Sequence, residues 1–199
     1  ISVTGVQTCA LPICRPKSQP DERGYDWVYQ NNSTQRMLEL LKQVSSDTTK
    51  IRTIDGDTRS LDAGVIDEKV QLCFIDGEHT DEAVAADFQF CLKALDANGC
   101  IMLHDAQITY NGIANCVETL KDRGISYRAY VLPHVLFVVE IGEFPLHSDP
   151  RIAELLTHNH LSYLYSLQDN DRYRKFATRF PFGQMRRMLL KFRGGNVSS

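Results

Sequence analysis

No stretch of this chain approaches the roughly 18 consecutive apolar residues that a membrane-crossing helix needs. An excess of positive charge is missing too. Lys and Arg number 22 against 25 Asp and Glu, a formal net charge of -3, so the overall balance gives no reason to expect nucleic acid as a partner. None of the six cysteines forms a CxxC pair, which argues against a zinc knuckle. Cys73 and Cys100 sit in apolar runs and Cys91 and Cys116 in helical stretches. They read as small buried hydrophobes of a reducing, cytoplasmic compartment rather than as a disulfide set. The leading residues carry no basic region, so a secretory signal is a poor fit. Finally, no GxGxG occurs anywhere. What is present, 199 residues of which 43% are hydrophobic, suffices for one domain with a core and a modest extension.

The chain divides in three. Residues 1–14 have neither helical nor strand periodicity, and Val3 to Ile13 resembles the translation of a sequencing-library adapter, as metagenomic fragments can carry. They are expected to be disordered and to join no element of a sheet. Residues 15–144 hold the folded domain. Residues 145–199 form a helical, basic extension, where Arg172 to Arg193 interleaves eight Arg and Lys with Phe176, Phe180, Phe182, Met185, Leu189 and Leu190. That pattern suits an amphipathic helix lying on the domain, and offers a contact for an anionic surface or a partner subunit. Oligomeric state is not legible.

Within the domain, residues 15–31 read as loop. Asn32 or Ser33 can cap a helix with the stripe Met37, Leu38, Leu41, Val44. Lys50 to Ile54 is a short strand candidate ending in the turn Asp55-Gly56-Asp57-Thr58. Val70 to Ile75 is a near-continuous apolar run, as in a strand covered on both faces of a parallel sheet. Thr80 opens a helix striped by Val84, Phe88, Cys91, Leu92 and Leu95 that Asn98-Gly99 is expected to stop. Cys100 to Leu103 is a second buried strand, and a helix over about 111–123 follows, closed by Gly124. Residues 126–132 and 135–141 are strands separated only by Pro133-His134, too close for a parallel crossover and therefore antiparallel. The alternation predicts an α/β fold: a Rossmann-like parallel sheet, helices on both faces, ended by an antiparallel hairpin.

In such sheets ligands lie outside the carboxyl ends of the strands. Three strand ends carry groups that bind metal or move protons: Asp57; then Asp76 with Glu78 and His79; then His104 with Asp105. In Asp76-Gly77-Glu78-His79-Thr80 the glycine permits a sharp turn and Thr80 caps the next helix, so Asp76 and His79 could also simply satisfy turn backbone.

The run FIDGEHT (74–80), a helix containing Asp87, and NGCIMLHDA (98–106) together resemble the class I S-adenosylmethionine-dependent methyltransferases of small-molecule type. The likeness spans about residues 24–142 and is strongest over 70–107. The family's first strand and its glycine-rich cofactor loop would precede residue 15, so the resemblance implies a domain truncated at its front. A chain without that loop is expected to bind S-adenosylmethionine weakly and to be inactive by itself. Carried over, the resemblance implies that Asp57 contacts adenine, with Gly56 and Thr58 shaping the loop, and that Asp76 lies at the methionine end of the cofactor. Metal-dependent relatives imply a divalent cation at Asp76, His104 and Asp105. Mg²⁺ suits the carboxylates, and an imidazole suits a softer ion. His79 or Glu78 is the natural general base for a small-molecule acceptor with a hydroxyl group. Two other readings compete: a metal-dependent hydrolase using the same Asp and His residues, and a non-catalytic Rossmann-like binding domain.

Overall fold

The computed structural model describes residues 9–10, 33–44, 47–49, 51–178 and 185, with the side chains of 9, 10 and 169–178 excepted. Its centre is a five-stranded sheet. The strands are β1 (Cys9–Ala10), β2 (Val70–Ile75), β3 (Leu95–Leu103), β4 (Tyr127–Leu132) and β5 (Leu136–Ile141), in the order β1-β2-β3-β5-β4. β1, β2 and β3 run parallel, whereas β5 is antiparallel to both β3 and β4. The hairpin expected from the Pro133-His134 spacing is therefore present, with its second strand inserted beside β3 and its first at the sheet edge.

Period-two alternation assigns each strand residue to a face. Cys73, Ile75, Ile101, Leu103, Val139 and Ile141 point to one side, where α2 (Asp81–Ala94) and α3 (Tyr110–Asp122) bring Val84, Phe88, Cys91, Ile113, Cys116 and Leu120. Leu72, Cys100, Met102, Tyr130, Leu132 and Val138 point to the other, where Phe144, Leu146, Ile152 and Leu156 cover them. The extension thus begins as part of the core: α4 (Pro150–Thr157), capped by Asp149 accepting from the Arg151 N–H, packs on the sheet, and α5 (Asn159–Thr178) follows. The basic stretch 172–193 lies largely outside the residues whose side chains are described. α1 (Thr34–Val44) starts at Ser33, whose hydroxyl accepts from the Arg36 N–H at 3.2 Å. It buries none of its residues fully, and Val44, expected on the apolar stripe, is 84% exposed.

Cys73, Cys91, Cys100 and Cys116 are buried and form no disulfide among the described residues, in line with their reading as small core residues. Burial pushes the Cys116 thiol up to about 12 and moves the Cys100 thiol in the same direction, so neither is a thiolate nucleophile.

Three expectations need correction. Residues 51–54 carry no ladder. The strand beside β2 is Cys9–Ala10, which pair with Cys73 and Phe74. For the same reason the leading segment does contribute to the sheet, by two residues, where none was expected. Asn98-Gly99 do not stop α2 either. The helix ends at Ala94 because Leu95 turns extended, is buried, and pairs with Val70. Asn98 instead accepts the Glu143 N–H at 2.8 Å, beyond the end of β5.

Gly124 does end α3, at φ +62. A Cβ there would meet nothing within 4 Å, so Gly124→Ala isolates the conformational cost of the left-handed backbone. We expect a loss of about 1 kcal/mol, measured by urea denaturation; an unchanged midpoint would show that the helix end relaxes freely.

Candidate active site

β2 and β3 end side by side, with Ile75 paired to Leu103. The groups that follow each strand must therefore share one rim, because both strands point the same way. The His104 N–H donates to the Ile75 carbonyl at 2.9 Å and the Ala106 N–H to the Val135 carbonyl at 3.0 Å, so the β3 loop is tied to β2 on one side and to the hairpin turn on the other. Asp105 takes a left-handed backbone, φ 52. Asp tolerates this conformation better than most residues. Its carbonyl is held by the Ile108 N–H and by the hydroxyl of the fully buried Thr109. On the β2 side, Thr80 caps α2 by accepting from the Ala83 N–H, which fixes the short turn carrying Glu78 and His79.

These restraints bring four side chains together. His79 Nε2 lies 3.0 Å from Asp105 Oδ2 and 3.5 Å from Asp76 Oδ1. His104 Nδ1 lies 3.4 Å from Asp76 Oδ1 and 3.5 Å from Asp105 Oδ1. Asp76, His79 and Asp105 each offer a ligand atom, all within 4.8 Å of one another. That grouping contains His79 where the sequence suggested His104, although His104 faces the same two carboxylates. Three buried side-chain polar atoms among the described residues make no hydrogen bond: His79 Nε2, His104 Nδ1 and Gln107 Oε1. All belong to this cluster or to the loop beside it. Two carboxylates facing orphaned imidazole nitrogens form a donor set that fits a divalent cation.

Gly56, Asp57 and Thr58 lie before α2, in a segment that follows directly on no described strand, so Asp57 is not at a strand end as expected. Asp57 is held by a bidentate pair with Arg59, which keeps its carboxyl below the usual carboxylate range. Thr58 donates to Asp87 on α2, a carboxyl that burial pushes upward.

Sequence reasoning missed a second polar cluster on the α4 face. Glu140 is fully buried on β5. It accepts from Tyr130 Oη at 2.7 Å and from the His147 N–H at 2.6 Å, and its second oxygen is 2.6 Å from His147 Nδ1. The available signal was one acidic residue inside the apolar run LFVVEI.

The layered sheet with its rim of acids and imidazoles defines a Rossmann-like α/β domain. Residues 11–106 match the family described as methyltransferase domain. That match, over just under half of the chain, makes this region similar to a methyltransferase domain, on a sheet of parallel strands closed by an antiparallel hairpin. No curated protein sequence matches the chain. Among solved structures it is similar to a methyltransferase of the mycinamycin biosynthetic pathway in complex with Mg and SAH, at 22% identity and TM-score 0.35 over 48% of this chain and 33% of that one. It is also similar to a putative caffeoyl-CoA O-methyltransferase from Staphylococcus aureus, at 14% identity and TM-score 0.39 over 55% of this chain and 61% of that one. A third is an rRNA methylase from Streptococcus thermophilus, at 14% identity and TM-score 0.36 over 63% and 70%. The chain thus spans a third of the first of these and less than two thirds of the second.

Proposed function

We propose that this domain serves S-adenosylmethionine-dependent methyl transfer to the hydroxyl group of a small-molecule acceptor, at a centre formed by Asp76, His79, His104 and Asp105. The observation that carries the reading is the 3.0 Å approach of His79 Nε2 to Asp105 Oδ2 at the joint end of two parallel strands. S-adenosylmethionine supplies an electrophilic methyl group, and a divalent cation lowers the pKa of a hydroxyl bound to it. Asp57, with Gly56 and Thr58, is assigned to the adenine end and Asp76 to the methionine end. Asp76, His104 and Asp105 are assigned to the cation. His79, whose Nε2 lies 3.0 Å from Asp105 Oδ2, takes the acceptor's proton. Holding the acceptor oxygen about 3 Å from the methyl carbon, in line, supplies much of the rate. The basic extension is assigned a contact with an anionic surface or a partner subunit.

A second reading is favoured by the close grouping of Asp76, His79 and Asp105. In it His79 is a ligand of the cation and Glu78 is the base. Chelation tests the metal in both. Methyl transfer from labelled S-adenosylmethionine to a panel of hydroxyl acceptors, assayed on a chain extended upstream by a glycine-rich cofactor loop, is expected to be abolished by EDTA and restored by Mg²⁺ or Mn²⁺. Transfer that persists in EDTA removes the cation and leaves His79 as the base.

A further inference from the structure

From the third unpartnered atom at this rim we infer that Gln107 supplies an oxygen ligand to the divalent cation, completing the set begun by Asp76 and Asp105. The inference rests on the cation reading above and adds to it a residue not so far assigned any role.

Gln107 is two residues beyond Asp105, in the loop bounded by the Ala106–Val135 and Ile108–Asp105 backbone hydrogen bonds. Its Nε2 is 3.5 Å from Asp105 Oδ1. An amide N–H₂ can donate to a carboxylate, while an amide oxygen in that place would be repelled, so this orientation of the carboxamide is the one its neighbour selects. The oxygen Oε1 is bonded to the same carbon as Nε2. It is buried and accepts no hydrogen bond. Leaving a buried carbonyl oxygen unsatisfied costs about 1–3 kcal/mol, a cost that a ligand offsets. Carboxamide oxygens are hard, neutral donors, as divalent cations of the Mg²⁺, Mn²⁺ and Ca²⁺ type accept. With two carboxylates and an imidazole already facing one point, a neutral oxygen raises the ligand count without adding a third negative charge to a partly buried site.

Mn²⁺ alone is a sufficient probe. The 199-residue chain is titrated with Mn²⁺ and free ion is followed by electron paramagnetic resonance, with circular dichroism melts of every variant in the absence of metal. Asp105→Asn is expected to remove binding. Gln107→Leu and Gln107→Met, two apolar replacements of similar size, are expected to raise the Kd about tenfold or more. Gln107→Glu keeps an oxygen at the site and is expected to bind at least as tightly as the parent. If Gln107 served only to donate to Asp105, the glutamate would repel that carboxylate and bind more weakly than the leucine or methionine variant; that ranking overturns the inference. It is equally overturned if both apolar variants bind as tightly as the parent while Asp105→Asn does not, in which case the cation reading stands without Gln107. A parent chain that takes up no Mn²⁺ removes the cation reading, and this inference with it.

Discussion

Replacing Glu140 by alanine is expected to cost the fold about 3–5 kcal/mol, among the largest single-residue losses in this chain. The carboxylate is fully buried, yet it satisfies three groups drawn from two further segments: the Tyr130 hydroxyl on β4, and the His147 N–H and ring from the turn leading into α4. Truncation leaves those groups desolvated and unanswered, so the penalty exceeds the value of the bonds themselves. Arg128, whose Nε is 3.8 Å from Glu140 Oε2, is 59% exposed and adds little, because water screens it. Glu140→Gln keeps an acceptor for Tyr130 and should lose less, about 1–2 kcal/mol. Urea denaturation followed by far-ultraviolet circular dichroism measures both. The ordering matters as much as the size. If alanine and glutamine behave alike, hydrogen bonding to Tyr130 is not what Glu140 contributes. If alanine is silent, the α4 face is held by Leu146, Ile152 and Leu156 alone.

His79→Ala is expected to reduce methyl transfer by roughly 10²-fold or more if His79 is the base, measured on the chain extended upstream by a cofactor loop. The affinity for S-adenosylmethionine should change little, because the assigned role is toward the acceptor. Asp76→Asn should damage both, since Asp76 is assigned to the cofactor and to the cation. Mn²⁺ affinity separates the two readings of the imidazole. A base leaves metal binding intact when removed, whereas a ligand takes it away. Full activity of His79→Ala across the pH range would reduce His79 to a turn residue and pass the proton to Glu78.

Much of this was legible because it is local. Val70–Ile75 and residues 100–103 announce themselves as buried strands by near-continuous apolar runs, and the two-residue spacing at Pro133-His134 dictates an antiparallel return. The rim followed from the same logic: parallel strands must end on the same edge, so Asp76 and Asp105 had to be neighbours. What failed was non-local. Nothing in Lys50 to Ile54 says whether a strand will find an edge to pair with, and here the edge of β2 carries Cys9–Ala10. Asn98-Gly99 look like a helix stop, but the pairing of Leu95 with Val70 decides the matter three residues earlier. Glu140 was invisible for the opposite reason. Its partners are 10 and 7 residues away on other elements, and a strand pattern carries no information about them.

The turn between β4 and β5 has a reach beyond the hairpin it closes. His134 and Val135 both adopt positive φ, 62 and 60. For a β-branched residue such as Val135 that is a conformation held against its own preference, at about 1–3 kcal/mol. Its carbonyl is what receives the Ala106 N–H, one residue after Asp105. The turn therefore works as a jig: it sets the height at which the β3 loop leaves the sheet, and with it the placement of the Asp105 carboxylate. A sequence change there, even one that leaves every acid and imidazole in place, is transmitted to the rim as a shift in position. The hairpin that gives this architecture its recognisable end is thus also a dimensional standard for the chemistry at the other strands' tips.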